Sequence, residues 1–173
     1  MIIVNLSKPK NYYKQTNNEI KPLIRCKPTA TVECLDIAGY RPEQFITGKF
    51  KQPEDNLTAY LEEKYGENAP EDWDKIVQGI KRFYGESICK FHGNLTEKQI
   101  LEGLDKGNPF AVSTRLTRGG HVVSVVGYEA MNEQHSTLTA WIIDDPYGKW
   151  TSGVYDKEQS GYNQRYTPAI FHN

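Results

Sequence analysis

The sequence predicts an α+β fold in which an N-terminal helical half packs against a C-terminal antiparallel β-sheet. Two observations carry that expectation. Apolar residues recur at helical spacing from Thr29 to Leu104, and from Phe110 onward they give way to runs rich in Val, Ile and Thr joined by turn-prone segments. Helices first and strands second is the order of an α+β chain, since strands and helices do not alternate. The 173 residues are long enough to bury a core without disulfide staples, and residues 1–173 are expected to form a single domain.

Taken in order, Ile2 to Leu6 reads as a short strand, and the polar, tyrosine-bearing stretch Lys8 to Lys21 as an irregular arm. Thr29, Val32, Leu35 and Ala38 recur at three-residue steps, with Ile37 broadening the face. They predict a helix from Thr29 to Ala38 that Gly39 stops and Pro42 keeps from resuming. Pro53 to Tyr65 predicts an amphipathic helix, with Leu57, Tyr60, Leu61 and Tyr65 inward and Glu54, Glu62 and Glu63 on a solvated acidic side. After Asn68-Ala69-Pro70 the pattern restarts with Trp73, Ile76, Val77, Ile80 and Phe83 until Gly85. Trp73 falls on the packing stripe, where an aromatic serves the core more often than it serves as a ligand platform. Ser87 to His92 alternates enough for a short strand. Thr96 with Gln99 is a capping-box signal for a helix through Leu104, which Gly107 and Pro109 end. Phe110 to Leu116, His121 to Glu129 and Thr137 to Ile143 are predicted strands. The chain contains no repeat or low-complexity tract.

Composition narrows the function classes. With 21 basic and 22 acidic residues the formal net charge is -1, which offers no field for nucleic acid or an anionic membrane. A mean hydropathy of -0.67 and the lack of a long apolar run argue against membrane insertion. Met1 to Leu6 is too short for a signal peptide, so the chain is expected to be made in the cytoplasm without a secretion signal, and as a monomer. Three cysteines, Cys26, Cys34 and Cys89, cannot pair completely and are expected as free thiols. Cys34 and Cys89 read as small buried hydrophobes. No Cys-x-x-Cys or His-x-x-x-His pair occurs, so no zinc site is predicted, and no metal or cofactor is expected. Asp144, Asp156 and Glu158 could hold a cation, but a solvated loop is the expected reading, and the Asn56 and Asn94 sequons read as accidental.

The residues that could carry chemistry sit at element ends. Gly119-Gly120-His121 runs into the apolar stretch Val122 to Tyr128, and Leu138 to Ile143 runs into Asp144-Asp145-Pro146-Tyr147-Gly148. Neighbouring strands can hold an imidazole rigidly beside a carboxylate that sets its tautomer. Successive aspartates in an extended segment face opposite ways, so one of them can meet His121. Asp145 is preferred, because the residue before a proline is held extended, and Asp144 is the alternate. Cys26 lies just ahead of a predicted helix, where the positive end of the macrodipole favours a thiolate. An oxyanion site would combine the Cys26 backbone N–H with an upstream amide, Gln15 first, with Asn17 and Asn18 as competitors. On the residues alone a structural strand histidine and a turn-forming aspartate stay open. His92, His135 and His172 read as ordinary surface or loop residues.

Gln15, then Cys26-Lys27-Pro28-Thr29-Ala30, then Gly120-His121-Val122-Val123 with Val126-Gly127-Tyr128, then Asp145-Pro146-Tyr147-Gly148, together resemble the bacteriocin-leader-peptidase-like branch of the papain-like cysteine peptidases. The resemblance implies a papain-like fold and a cysteine hydrolase in which Cys26 is the nucleophile, His121 the base, Asp145 its orienting partner and Gln15 an oxyanion donor. Lys27 stands where that family usually has glycine, and the interval from Gln15 to Cys26 is long. A cation beside a thiol favours its thiolate, so Lys27 could assist. The tail, with Gly153-Val154-Tyr155, Gly161, Arg165-Tyr166 and Phe171, is similar to the ends of phage-encoded cell-wall lytic members. That similarity implies peptide bonds of bacterial peptidoglycan stem peptides as substrate, and action at the cell wall after release or as part of a virion. The alternatives are a protease specific for a protein or leader peptide, and a catalytically silent papain-like module that binds peptide or glycan.

Overall fold

The computed structural model describes residues 1–45, 49–132 and 137–171; His135 and His172 lie outside them. Four helices come first: α1 (Cys26–Ile37), α2 (Pro53–Tyr65), α3 (Trp73–Tyr84) and α4 (Glu97–Asp105). A short strand, β1 (Ile2–Asn5), precedes them. The strands β2 (Phe110–Thr114), β3 (His121–Ala130), β4 (Leu138–Asp144), β5 (Lys149–Thr151), β6 (Val154–Asp156) and β7 (Gln164–Tyr166) follow. The fold is α+β, a helical half packed against an antiparallel sheet, as the sequence predicts.

The main sheet is antiparallel throughout and is organised around β3. One edge of β3 pairs with β2 along His121 to Val125 and with β1 along Gly127 to Ala130, while its other edge pairs with β4, and β4 with β7. Helices cover both faces, which is why β3 reads as a nearly continuous apolar run and not as an alternating one. On one face Ile100, Leu101 and Leu104 of α4 pack against Val123, Val125, Tyr128 and Trp141. On the other lies α1, and behind it Val32, Leu35, Leu57, Leu61, Ile76 and Ile80 close a second cluster between α1, α2 and α3. Each such fully buried Leu or Ile contributes about 1.5–3 kcal/mol.

Helix boundaries follow their caps. Asp72 accepts from the Asp74 and Lys75 N–H groups at the start of α3, and Gly85 ends that helix at a left-handed φ of 78°. Thr96 and Gln99 form the expected capping box of α4. Three expectations are corrected. Helix α1 begins at Cys26, three residues earlier than the spacing suggests, because Thr29 N already donates to Arg25 O. It is buried nearly all round between the sheet and α2, while Ala38 stands exposed at its end. Ser87 to His92 forms no strand: Ile88 and Cys89 pack against the helical cluster and Phe91 stacks on Trp73, so the alternation meets side chains with no strand alongside to pair with. Two acids expected in solvent, Glu54 and Asp144, are buried, and burial pushes the Glu54 carboxyl up to about 7.

A buried polar layer pins α1 to the sheet. Glu33 of α1, Ser124 of β3 and Asp144 of β4 are all fully buried. Ser124 Oγ donates to Glu33 Oε2 at 2.7 Å, and the Ser7 hydroxyl and the Asn163 N–H donate to Asp144. Two buried carboxylates near each other repel when both are charged, which favours a proton on one of them. Burial, reinforced by the Asp144 charge, therefore holds Glu33 well above the ordinary carboxyl value of 4.5. A group that binds protons more tightly folded than unfolded makes stability fall as pH rises from its unfolded towards its folded value, by at most about 1.4 kcal/mol per pH unit. Glu33→Gln keeps the shape without the titration, and it is expected to flatten that decline in urea unfolding followed from about pH 5 to about pH 9. An equal slope in both proteins would count against that proton.

Candidate active site

The first residue of α1 is Cys26, and the residue before it explains how the helix start is held. Arg25 is 1% exposed, and its guanidinium bridges Glu62 of α2 at 2.8 Å and Glu71 of the Ala69–Glu71 turn at 2.9 Å. Such charge-assisted forks fix both distance and direction. Lys27 is drawn the same way: its ammonium donates to the Glu71 carbonyl and lies 5.6 Å over the Trp73 ring. Its charge is therefore shared with Glu71 and Trp73. Trp73 itself is half-buried at the rim of the helical cluster, stacked on Phe91 at 6.2 Å.

Across from Cys26, the chain enters β3 through Gly120, whose φ of 80° suits glycine, and places His121 at the strand's first position. His121 Nε2 lies 2.7 Å from Asp145 Oδ1, with the two side chains 4% and 0% exposed. His121 and Cys26 line the same cleft, and the nearby Cys26 side chain helps to raise the imidazole. With Nε2 taken by Asp145, Nδ1 is the ring nitrogen left to act on the thiol. Asp144 turns the opposite way, to Ser7 and Asn163, as alternation along an extended segment requires.

Asp145 is the most heavily hydrogen-bonded side chain of the site. Besides His121, its carboxylate accepts from the Tyr147 N–H at 3.0 Å and from the Tyr155 and Tyr166 hydroxyls at 2.8 Å each. Its backbone is clamped as well: Asp145 N donates to Gly161 O, and Tyr12 OH donates to Asp145 O while accepting from Gly161 N. A side chain at Gly161 would collide with Asp145 O, so that approach requires glycine. Burial and the neighbouring carboxylate charge push both phenols above their ordinary value, so they stay protonated donors. Both Asp145 oxygens act as acceptors, which suits a proton on Nε2 pointing towards them. Burial alone would lower His121, but the hydrogen bonds and charges of Asp145 and Cys26 outweigh it and push the imidazole up to about 9. The ring sits edge-on to Tyr155 at 5.6 Å and tilted to Tyr147 at 5.8 Å.

Gln15 reaches the same cleft, a cavity of about 440 Å³ that it lines with Cys26, His121 and Tyr147. It is 1% exposed; its N–H donates to Pro146 O and its Nε2 to Pro22 O at 2.9 Å, which leaves the second amide hydrogen for the cleft. Asn18 is spent on Thr29 Oγ1 and Asn17 is exposed; neither lines the cavity. His92 is exposed and away from it. Cys34 and Cys89 also lie elsewhere, and burial pushes both thiols up, Cys89 to about 11. Asp156 binds its own turn through the Glu158 and Gln159 N–H groups. Among the described residues no group of His, Cys, Asp and Glu is arranged to hold a metal.

Tyr12, Tyr155, Tyr166, Arg25, Glu33 and Ser124 are site-forming residues that sequence reasoning assigned no role. Strands β5, β6 and β7 are three residues each, too short for periodicity to register, and they bring in Tyr155 and Tyr166 from ten and 21 positions beyond Asp145.

A helix that opens on a cysteine, packed against an antiparallel sheet that presents a histidine and an aspartate to it, defines a papain-like cysteine peptidase architecture. Residues 9–170 match the model of the peptidase C39-like family, and the chain belongs to that family. Comparison with curated proteins and with solved structures gave no match.

Proposed function

We propose that this protein hydrolyses peptide bonds with Cys26 as nucleophile, His121 as general base and acid, Asp145 as the group that orients and charges His121, and Gln15 with the Cys26 N–H as oxyanion donors. The observation that carries this reading is the pairing of His121 with the four-donor carboxylate of Asp145 at the cleft that Cys26 lines. The Cys26 thiolate adds to the scissile carbonyl, and the new oxyanion is stabilised by the two N–H donors. The imidazolium Nδ1–H protonates the departing amine, leaving a thioester. His121 then takes a proton from water, which attacks the thioester and releases the acid and the thiolate.

The tail's similarity to phage lytic members supports bacterial peptidoglycan stem peptides as the substrate, cleaved by a lysin-like enzyme acting at the cell wall. A second reading, a protease for a protein or leader sequence, is favoured by exposed Leu23 and Ile24 on the cleft wall. Purified protein incubated under reducing conditions with peptidoglycan, and separately with a peptide library, is expected to release new amines from one of them. Cys26→Ser is expected to lose that release by about 10⁴-fold or more. In the intact protein iodoacetamide is expected to label Cys26 far faster than Cys34 or Cys89 near neutral pH. Equal release by the serine variant would overturn the reading. Uniformly slow labelling without cleavage would favour the silent binding module.

A further inference from the structure

We propose that Leu23 and Ile24 form a specificity wall that receives a bulky apolar side chain of a polypeptide substrate directly beside the scissile bond. The inference rests on Cys26 as the nucleophile and takes the second of the two substrate readings, a polypeptide and not a stem peptide, for that same cleft.

Both residues line the cleft that holds Cys26 and His121, only three and two positions before the nucleophile. They are 65% and 53% exposed, among the few large apolar side chains so open in this protein. An apolar side chain left in water beside a reactive group has area to gain from a ligand.

The segment that presents them is held at several points. Gln15 Nε2 donates to Pro22 O, Ile24 N donates to Lys21 O at 3.0 Å across a turn with Lys21 at a φ of 47°, and the Asp55 carboxylate accepts from the N–H groups of Glu19 and Ile20. Arg25, immediately after, is buried between two glutamates. A wall fixed in this way does not lose its conformational entropy again on binding.

Charge chemistry points the same way. Glu71 is the acidic residue of the cleft, and its carboxylate is already paired with Arg25 at 2.9 Å and near Lys27 at 3.9 Å. That leaves little for recognising a basic side chain. Gly119 and Gly120 also line the cleft, and a Cβ at Gly119 would meet nothing within 4 Å, so an extended main chain can pass close to them while its side chain turns to Leu23 and Ile24. Stem peptides offer small and charged side chains, which would leave this wall wet.

The test is a peptide library digested by the wild type, by Leu23→Ser/Ile24→Ser and by the apolar exchange Leu23→Ile/Ile24→Leu, with kcat/KM measured on the best peptide and on the same peptide carrying glycine at the selected position. The wild type is expected to enrich Leu, Ile, Met or Phe at one position flanking the cut and to prefer the apolar peptide by about 10- to 100-fold. The serine variant is expected to lose most of that preference and the apolar exchange to keep it. Cleavage without apolar enrichment, a preference unchanged in the serine variant, or digestion of peptidoglycan with the library left intact would overturn the wall while leaving Cys26 as nucleophile. A wild type that cleaves nothing and whose Cys26 is labelled no faster than the other thiols would overturn the catalytic reading itself.

Discussion

Substituting His121 with alanine is expected to lower peptide hydrolysis by about 10⁴- to 10⁶-fold, because in the proposed mechanism both proton transfers pass through this one ring. The effect should appear in kcat, since the ring faces the thiol and not a substrate side chain. In the wild type the imidazole, pushed up to about 9, keeps its proton at neutral pH, and acylation is expected to slow as pH passes about 9 and the leaving amine loses its acid. The stability that the raised imidazole contributes is fully present below its ordinary value of 6.5 and is lost as pH rises through about 9. In His121→Ala the rate of Cys26 alkylation near neutral pH is expected to fall. Stopped-flow alkylation measures this, and an unchanged rate would show that the ring and the thiol do not act together.

Asp145→Ala is expected to be the most damaging single change to the fold and nearly as damaging to activity. It strips the acceptor from His121, Tyr155, Tyr166 and the Tyr147 N–H at once, within a site where the Asp145 side chain is 0% exposed. Orphaning the partners of a buried charge costs about 3–5 kcal/mol. Asp145→Asn separates the two effects, because the amide fills the same space but brings donors where four donors already converge. It is expected to retain more stability than the alanine variant and still to lose about 10²- to 10⁴-fold in kcat. Denaturant melts beside kcat for the two variants provide the measurement. Full activity in Asp145→Asn would remove the carboxylate from the mechanism.

Much of the fold was legible because its strongest signals are local. Pro53 to Tyr65, the Asp72-to-Gly85 helix and the Thr96–Gln99 cap have periodicity and end chemistry contained within a dozen residues. Where local pattern failed, a neighbour distant in sequence had intervened. Glu54, read as solvated, is covered by the fold, and Ser87 to His92 alternates against helices and an indole instead of a sheet. The start of α1 was misplaced because Cys26-Lys27-Pro28 carries no capping side chain, and the helix is anchored there by Arg25 reaching to Glu62 and Glu71.

For the site, the sequence by itself determined the kinds of group and their order: a cysteine at a helix start, a histidine opening an apolar strand and an aspartate held before a proline. Alternation along the strand end also put Asp144 and Asp145 on opposite faces, with Asp145 preferred before its proline, and the fold then brought Asp145 to His121. Only the tertiary structure decided what surrounds them. The two tyrosine hydroxyls on Asp145, the buried Glu33–Ser124–Asp144 layer and the Arg25 fork join residues from ten to more than a hundred positions apart. Each hydrogen bond requires donor and acceptor within about 3 Å, a placement set by packing of the whole sheet against α1 and written in no local pattern.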